Sequence, residues 1–314
     1  LPLSESRSTA VFLDGTKEPF FAWLHALYPN AELREVTPPG EGQPVVVYEV
    51  IVQTEEIDRL RGVEATYRAE GGGVIARREP KIDFDWTSSP PAPFPFAAQW
   101  SGLLNVTVYG DHELSVQAPG RITLRLDGEV VAEGEDRVAV TRRLFRGRHQ
   151  LELEVAADGP GRVVLSDNGE PLPDSAYFAP SPEGTGLLAT FYTSADWSGE
   201  PALEQLDPFV GFRYHSELPF GSPFSTIWHG KLDVPVGGPY PMEIQAVGEA
   251  SVLIDGEEVL STLGTPSSEV QLAAGLRDIE VRFTNAAGFA QIFLYWTRPG
   301  HDREVVPSAF LYPP

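Results

Sequence analysis

The alternation of apolar and polar positions along the chain predicts mostly β-strands. Leu151 to Val155 alternates between apolar and polar residues, and Ile279 to Phe283 does the same. Such alternation is typical of strands with one buried face. From residue 61 onward, short runs of this kind are separated by Gly, Pro and Asp turns, and no long amphipathic helix is apparent. We therefore predict a mainly β fold of the sandwich type.

Residues 1–60 follow a different pattern. Ala10 to Leu13 is a short apolar run that predicts a strand, and Thr16 can cap a helix that continues to about Tyr28. Two more strand-like runs follow at 32–36 and 45–52. The pattern predicts a small α/β (β-α-β-β) segment, which is too short to bury much core alone.

An internal repeat organises the remainder of the chain. The landmarks that recur at an interval of 128 residues are Pro80 and Pro208, Phe84 and Phe212, Trp100 and Trp228, Asp127-Gly128 and Asp255-Gly256, and Gly147 and Gly275. Separated landmarks at one interval are hard to obtain by chance, so we predict a duplicated module. The predicted domains are 1–60, 61–180 and 181–314.

The repeated residues have a physical role in a β-sandwich. An Asp-Gly pair between two strand-like runs predicts a tight hairpin, because both residues tolerate a positive φ. Asp127-Gly128 and Asp255-Gly256 both have this context. We interpret the two large repeated tryptophans, Trp100 and Trp228, as core residues.

The second copy resembles a PA14 module over nearly its whole length. The motifs that carry the resemblance are Gly186–Tyr192, Asp196–Gly199, Asp207-Pro208, Ile227–Gly230, Ile254–Gly256, Leu272–Gly275, Ile292–Trp296 and Val305–Pro313. The first copy is more eroded and keeps Gly62, Asp83–Trp86, Trp100, Leu126–Gly128 and Tyr177-Phe178. The resemblance implies two PA14-like β-sandwiches, a module found in adhesins, glycosidases, toxins and bacterial surface proteins.

The resemblance does not extend to a metal site. Several PA14 modules bind glycans through a Ca²⁺ ion that two consecutive aspartates hold, in the loop before the hairpin. The matching stretches here, Val247–Ser251 and Gln117–Arg121, contain no such pair. A hard cation loses its main oxygen ligands without it. We therefore expect no bound metal and no cofactor.

Charge and composition narrow the possible partners. The net charge is −22 and the pI is about 4.6, so the surface repels nucleic-acid phosphates and anionic lipids and favours neutral or cationic partners. The absence of cysteine excludes disulfides and thiol catalysis. No stretch approaches the length of apolar sequence that crosses a bilayer.

No arrangement of residues predicts an enzyme. The six histidines have no zinc-enzyme spacing. Asp111-His112-Glu113 follows Gly110 and is interpreted as a solvated turn rather than a metal cluster. Asp83 and Asp85 lie two apart on one strand, too close to flank a glycosidic bond, and a structural or solvated role is favoured.

Aromatic loop residues are the candidates for ligand contact. Trp197, Tyr214 and His215 in the second copy and Trp86 in the first lie in segments rich in Pro, Gly and Ser. Exposed aromatic rings stack on the apolar faces of sugars. The alternative interpretation is that these side chains close the ends of the sandwich.

Two functional hypotheses follow from the resemblance. The first is a non-catalytic extracytoplasmic module, secreted, periplasmic or on the cell surface, whose partner is a glycan or another cell-surface polymer. The second rests on the N-terminal segment followed by two copies, which resembles the soluble C-terminal part of bacterial membrane glycosyltransferases. That resemblance implies an upstream membrane domain in the same chain, with the modules positioning the acceptor or packing on the membrane part.

Overall fold

The structure is a computed structural model that describes residues 7–14, 17–40, 45–179, 186–214 and 221–314. Within these ranges it confirms the predicted mainly β fold. The two helices are α1 (Glu18–Leu27) and α2 (Thr54–Arg59). The strands of the N-terminal segment are β1 (Thr9–Asp14), β2 (Glu32–Val36) and β3 (Val47–Val52).

The remaining strands follow in two groups. The first comprises β4 (Val63–Ala69), β5 (Val74–Glu79), β6 (Asp83–Asp85), β7 (Phe96–Val106), β8 (Gly110–Leu126), β9 (Glu129–Leu144), β10 (Gly147–Ala157), β11 (Arg162–Asp167), β12 (Glu170–Pro171) and β13 (Tyr177–Phe178). The second comprises β14 (Leu187–Tyr192), β15 (Leu203–Asp207), β16 (Gly211–Tyr214), β17 (Phe224–Val234), β18 (Gly238–Val247), β19 (Glu249–Ile254), β20 (Glu257–Ser261), β21 (Ser267–Leu272), β22 (Gly275–Asn285), β23 (Ala290–Thr297), β24 (Arg303–Val305) and β25 (Leu311–Tyr312).

The N-terminal segment has the predicted order of elements. Its strands form a sheet in the order β1-β3-β2, and α1 lies between the first two strands in sequence. The short helix α2 was not predicted, because its six residues present only Ile57 to the core and give no repeating apolar pattern. The proposed cap Thr16 lies outside the described residues.

Internal contacts group the chain into two compact units. The first contains Leu1–Phe12, Leu27–Glu35 and Glu49–Ser181, and the second contains Leu13–Ala26, Val36–Tyr48 and Pro182–Pro314. The N-terminal segment thus contributes residues to both units. The helix residues that matter for the site below belong to the second unit.

The two units pair their strands in the same order. In the first, neighbouring strands are hydrogen-bonded in the order β5-β4-β7-β10-β8-β11, and β6 also pairs with β11. In the second, β15-β14-β17-β22-β19-β20 forms one sheet and β16-β23-β18-β21 forms another. The long strands β8 and β9 of the first unit thus take the places that β18–β19 and β20–β21 occupy in the second.

An aromatic stack lies in the core of each unit. Trp100 and Phe84 stack with ring centroids 5.9 Å apart at 13°, and Trp228 and Phe212 stack at 6.1 Å and 8°. Both tryptophans are fully buried. The prediction that they are core residues is confirmed.

The predicted hairpins are present at both Asp-Gly pairs. Asp127 and Gly128 have φ values of 50° and 82°, and Asp255 and Gly256 have 52° and 84°. These positive values are why the sequence uses Asp followed by Gly, since few other residues adopt them at low cost. Each pair connects two antiparallel strands, β8 with β9 and β19 with β20.

Candidate functional site

The outer face of the second unit's shorter sheet carries two neighbouring aromatic rings. Phe293 and Tyr295 are two residues apart on β23, so their side chains point to the same side of the sheet. Their rings lie 5.9 Å apart at 17°. The alternate residues Ile292, Leu294 and Trp296 are buried in the core on the opposite side.

An arginine lies against each ring. Arg213 on β16 pairs with Gln291, so it is a diagonal neighbour of Phe293, and its Cζ atom lies 5.5 Å from the centre of that ring. Arg303 on β24 pairs with Thr297, and its Cζ atom lies 3.6 Å from the centre of the Tyr295 ring. We call Arg213, Phe293, Tyr295 and Arg303 the arginine–aromatic row.

A cavity of about 370 Å³ opens beside the row. One wall comes from α1, which contributes Pro19, Ala22 and Trp23, and another comes from the segment after β24, which includes Ser308. A second hollow of about 320 Å³ shares Tyr295 and Arg303 and adds polar side chains of β18 and β21. The two hollows give the row a cleft that an elongated ligand can follow.

The charged groups of the cleft differ in their pairing. Arg303 pairs with Glu243 at 2.8 Å, and Arg298 pairs with Glu304 at 2.7 Å. The half-buried Arg213 has no carboxylate partner among the described residues, and its Nε atom is buried without a hydrogen-bond acceptor. The cleft therefore contains one cation that the described residues do not neutralise.

Aromatic faces beside fixed donors and acceptors suit the recognition of a sugar. Tyr295 is half-buried, so its ring can meet the apolar C–H face of a pyranose, while Arg, Glu and Ser side chains supply partners for the sugar hydroxyls. Phe293 is 4% exposed and instead supports the guanidinium of Arg213. The cleft is of the size usual for small-ligand sites. This set of side chains can bind a ligand of this kind.

Sequence analysis did not identify this row. The signal that it contained was the spacing of Phe293 and Tyr295, which places two rings on one face of a strand. The arginines come from β16 and β24, and Trp23 comes from a helix about 270 residues away along the chain. Their convergence depends on tertiary structure and leaves no local pattern.

Trp197 does not line either hollow. It is half-buried in the loop after β14, with φ of 55°, and its indole N–H donates to the carbonyl oxygen of Thr226 at 3.3 Å. Beside it, hydrogen bonds from Ser198 and Ser194 lower the pKa of Asp196. A ligand-binding role for Trp197 stays a prediction.

The other two candidates of the second copy fall at the edge of the described residues. Tyr214 is the last residue of β16, and its backbone pairs with that of Ala290. Its side chain, and His215 altogether, lie outside the described part of the chain. Both residues therefore stay predictions.

Trp86 requires a correction. It is 1% exposed, and its ring stacks on Trp100 with centroids 6.0 Å apart. The expectation that Trp86 presents an exposed face to a ligand is wrong, because its segment folds back over the core. This position agrees with the alternative that the ring closes one end of the sandwich.

The interpretation of Asp111-His112-Glu113 as a solvated turn also requires a correction. These residues begin β8, and His112 is buried. Its Nδ1 atom lies 2.6 Å from an Asp167 carboxylate oxygen, and its Nε2 atom lies 2.9 Å from the carbonyl oxygen of Val108. Both partners can accept hydrogen bonds, so this arrangement favours the doubly protonated imidazole.

A cavity of about 550 Å³ adjoins this ion pair in the first unit. Its polar lining includes Asp111, Asn168 and Glu170, and it contains no aromatic row comparable to that of the second unit. Asp111 is itself paired with Arg143 at 3.0 Å. Most charges in this cavity are thus satisfied by the chain itself.

The acidic pairs considered above have structural partners. Asp83 pairs with Arg162 at 3.1 Å. Asp85 accepts hydrogen bonds from Ser88 and from the backbone N–H of Thr87, and these bonds lower its pKa. Among the described residues, no group of three or more His, Asp and Glu is arranged to hold a metal ion. No described helix is long and apolar enough to cross a membrane.

Comparison with known proteins finds a PA14 domain in the second unit. The model of the PA14 domain family matches residues 183–309. This match confirms the resemblance inferred for the second copy. It covers β14 to β24 and therefore includes every strand of the arginine–aromatic row.

Similar proteins extend over more of the chain. The anti-sigma-I factor RsgI3 of Acetivibrio thermocellus is 23% identical over 270 residues, which are 76% of this chain and 42% of that protein. The chain thus matches less than half the length of this curated relative. A solved anti-sigma factor domain-containing protein is 21% identical over 82% of this chain and all of its own, with a TM-score of 0.39. The crystal structure of the PA14 domain of the MpAFP antifreeze protein is 13% identical over 43% of this chain and 94% of its own, with a TM-score of 0.36.

Proposed function

We propose that this protein is a non-catalytic, extracytoplasmic glycan-recognition module that binds its ligand in the cleft along the arginine–aromatic row. The observation that carries the proposal is the row itself, in which two parallel rings and two arginines lie beside a cavity of about 370 Å³. The PA14 match of residues 183–309 supports a recognition role.

Binding does not require a metal ion in this proposal. The turn that joins β18 and β19 has Gly248 with φ of 126°, and a side chain there would meet the carbonyl oxygen of Thr284. The aspartate pair that holds Ca²⁺ in other PA14 modules is absent from this turn. The cleft instead uses side chains of the sheet face and of α1.

The recognition module belongs, in our proposal, to a chain that reports on ligand at the cell exterior. The similarity to a protein named as an anti-sigma-I factor supports this role. The first unit is a second, divergent PA14-like copy, which its matching strand order and its Phe84–Trp100 stack support. The glycosyltransferase alternative stays a prediction that the sequence upstream of residue 1 tests.

The experiment is a glycan array probed with the whole chain, with and without a chelator of divalent cations. We expect binding that survives chelation. Tyr295→Ala removes one ring of the row, and we expect about a tenfold loss of affinity, since about 1.4 kcal/mol corresponds to a factor of ten. Trp197→Ala, which alters an aromatic residue outside the cleft, is the matched control.

Each outcome has a defined meaning. A loss with Tyr295→Ala and none with Trp197→Ala supports the cleft. The reverse result moves the ligand to the loop that contains Trp197 and refutes the site. If no glycan binds under either condition, the proposed function is refuted. Circular dichroism establishes that both variants are folded before binding is compared.

A further inference from the structure

We infer that the glycan bound in the cleft carries an oxyanion substituent, a carboxylate or a sulfate, which Arg213 binds. This inference rests on the proposed function and specifies the class of ligand. It concerns the first of the two hollows, where α1 and β16 face each other.

The pairing of the arginines indicates an anion. Four other arginines of the second unit have carboxylate partners, namely Arg277 with Asp255, Arg282 with Glu280, Arg298 with Glu304 and Arg303 with Glu243. The chain as a whole has 45 acidic residues against 23 Lys and Arg. In so acidic a protein, a half-buried arginine without a carboxylate partner among the described residues is a candidate to bind an anionic ligand.

Burial of the Arg213 Nε atom means that the lack of a hydrogen-bond acceptor within the described ranges destabilises the protein. Its Nε atom is shielded from solvent and has no acceptor in the described residues. An unsatisfied buried donor destabilises the protein, and the cost is larger for a charged group. A ligand oxygen that accepts from this guanidinium removes that cost, so the site gains from binding an anion.

The geometry also fixes the orientation of the guanidinium. Phe293 lies under it, with the Cζ atom 5.5 Å from the ring centre, and the guanidinium lines the cavity. A planar guanidinium presents a fork of N–H donors that matches two oxygens of a carboxylate or a sulfate. Lysine offers no such fork, so we expect the arginine itself to matter.

The two hollows differ in charge, which predicts how the ligand lies. The lining of the first contains Arg213, Arg303 and Glu304. The lining of the second contains Arg303 together with Glu243 and Glu269. The oxyanion therefore belongs at the Arg213 end, and neutral sugar units, whose hydroxyls donate to carboxylates, belong at the Glu243 end.

The test compares oligosaccharides that differ only in this substituent. The probes are a β-linked gluco-oligosaccharide, its C6-carboxylate form and its C6-sulfate form, together with matched acidic and neutral glycans identified on the array. Affinity is measured by titration calorimetry at low and moderate salt. We expect an acidic form to bind about tenfold more tightly than the neutral form, and the advantage to shrink with salt.

Variants of the chain locate the effect. Arg213→Gln is expected to remove the advantage of the acidic form while neutral binding persists, and Arg213→Lys is expected to restore only part of it. Arg282→Gln is the control, because it removes the same charge from an exposed pair on β22, and the advantage should remain. If Arg213→Gln does not fold, the Arg213→Lys variant and the salt dependence decide.

The outcomes separate the inference from the proposed function. Equal binding of acidic and neutral forms, or an advantage that survives in Arg213→Gln, overturns the inference, while sensitivity to Tyr295→Ala leaves the cleft as a glycan site. If no glycan binds at all, both fail. Tighter binding of the carboxylate form or of the sulfate form identifies which oxyanion the site selects.

Discussion

The two units have the same strand order but differ in the side chains on two corresponding pairs of strands. These pairs are β6 and β11 in the first unit and β16 and β23 in the second. Residues correspond through the register of the stacked rings, since Phe84 pairs with Val163 and Phe212 pairs with Ile292. By this register, Arg213 corresponds to Asp85. Where the second unit has Phe293 and Tyr295, the first has Val164 and Ser166.

The two units share a core feature but differ on the surface. The tryptophan–phenylalanine stack is the same in both units to within a few tenths of an ångström. At the corresponding surface positions, the second unit has the cation Arg213 and two aromatic rings. The first unit has the anion Asp85 and the smaller residues Val164 and Ser166. Recognition is therefore expected in the second unit alone, since function depends on the site rather than on the fold.

The largest expected effect is a loss of stability on substitution of Gly230 on β17 or Gly102 on β7. Each of these glycines lies against the last strand of its unit. Gly230 has φ of 157°, and a side chain there would clash with the carbonyl oxygen of Tyr312 on β25. At Gly102 a side chain would lie 2.9 Å from the carbonyl oxygen of Phe178 on β13. Gly230→Val is expected to lower the free energy of unfolding by about 3–4 kcal/mol, from backbone strain and overpacking together.

Calorimetric unfolding of the whole chain measures this loss, and Gly102→Val is its counterpart in the first unit. We expect the Gly230 variant to lose glycan binding and the Gly102 variant to retain it. Retained binding in the Gly230 variant at a temperature where the second unit is unfolded would contradict the placement of the site.

A smaller effect distinguishes the two tryptophans. The Trp228 indole N–H donates to an oxygen of the buried Asp207 at 2.8 Å, whereas the indole nitrogen of Trp100 has no hydrogen-bond partner within the described part of the chain. Trp228→Phe should therefore destabilise its unit by about 1–3 kcal/mol more than Trp100→Phe does, because it removes a hydrogen bond to a buried carboxylate. Denaturant unfolding of the two variants gives this difference, and equal losses would refute the importance of the hydrogen bond.

The smallest effect is a pH dependence specific to the first unit. Burial lowers the pKa of His112, but hydrogen bonds with Asp167 and the Val108 carbonyl outweigh it, so the net pKa is raised. A raised folded-state pKa gives stability that is fully present below the unfolded value, about 6.5, and is lost as the pH rises through the folded value. The midpoint temperature of thermal unfolding of the first unit should therefore decrease as the pH is raised above neutrality.

His112→Gln is the control for this dependence. It keeps a hydrogen-bonding side chain but cannot titrate, so the fall in midpoint with rising pH should be reduced. The position that follows His112 by 128 residues is Tyr240, whose hydroxyl donates to the carbonyl oxygen of Val236 at 2.8 Å. The second unit therefore has no histidine at this position.

Local chemistry explains which parts of the fold were predictable. Asp127-Gly128 and Asp255-Gly256 specify their turns through their own φ preferences, so the hairpins follow from the sequence. A fixed interval between rare residues predicts a repeat, and this duplication stays a prediction. The helix α1 was identified by its apolar spacing to within one or two residues of its observed ends.

The errors arose where chain folding overrides local composition. Trp86 lies in a segment rich in Ser and Pro that suggests an exposed loop, yet its ring reaches into the core. His112 follows a glycine, as turn residues often do, but Gly110 has φ of 146° and opens a strand. The arginine–aromatic row combines residues from separate strands, and no window of sequence contains them together.

The way in which each unit closes has a consequence for how such chains are assembled. The N–H of Gly62 donates to the carbonyl oxygen of Tyr177 at 2.9 Å, and the N–H of Gly186 donates to that of Leu311 at 3.0 Å. The first and last strands of the group β4–β13 are thus neighbours on β7, and those of the group β14–β25 are neighbours on β17. A module whose first and last strands are adjacent can be inserted into a loop of a host protein, or duplicated in tandem, without distorting the flanking sequence. The strand groups β4–β13 and β14–β25 each have this property.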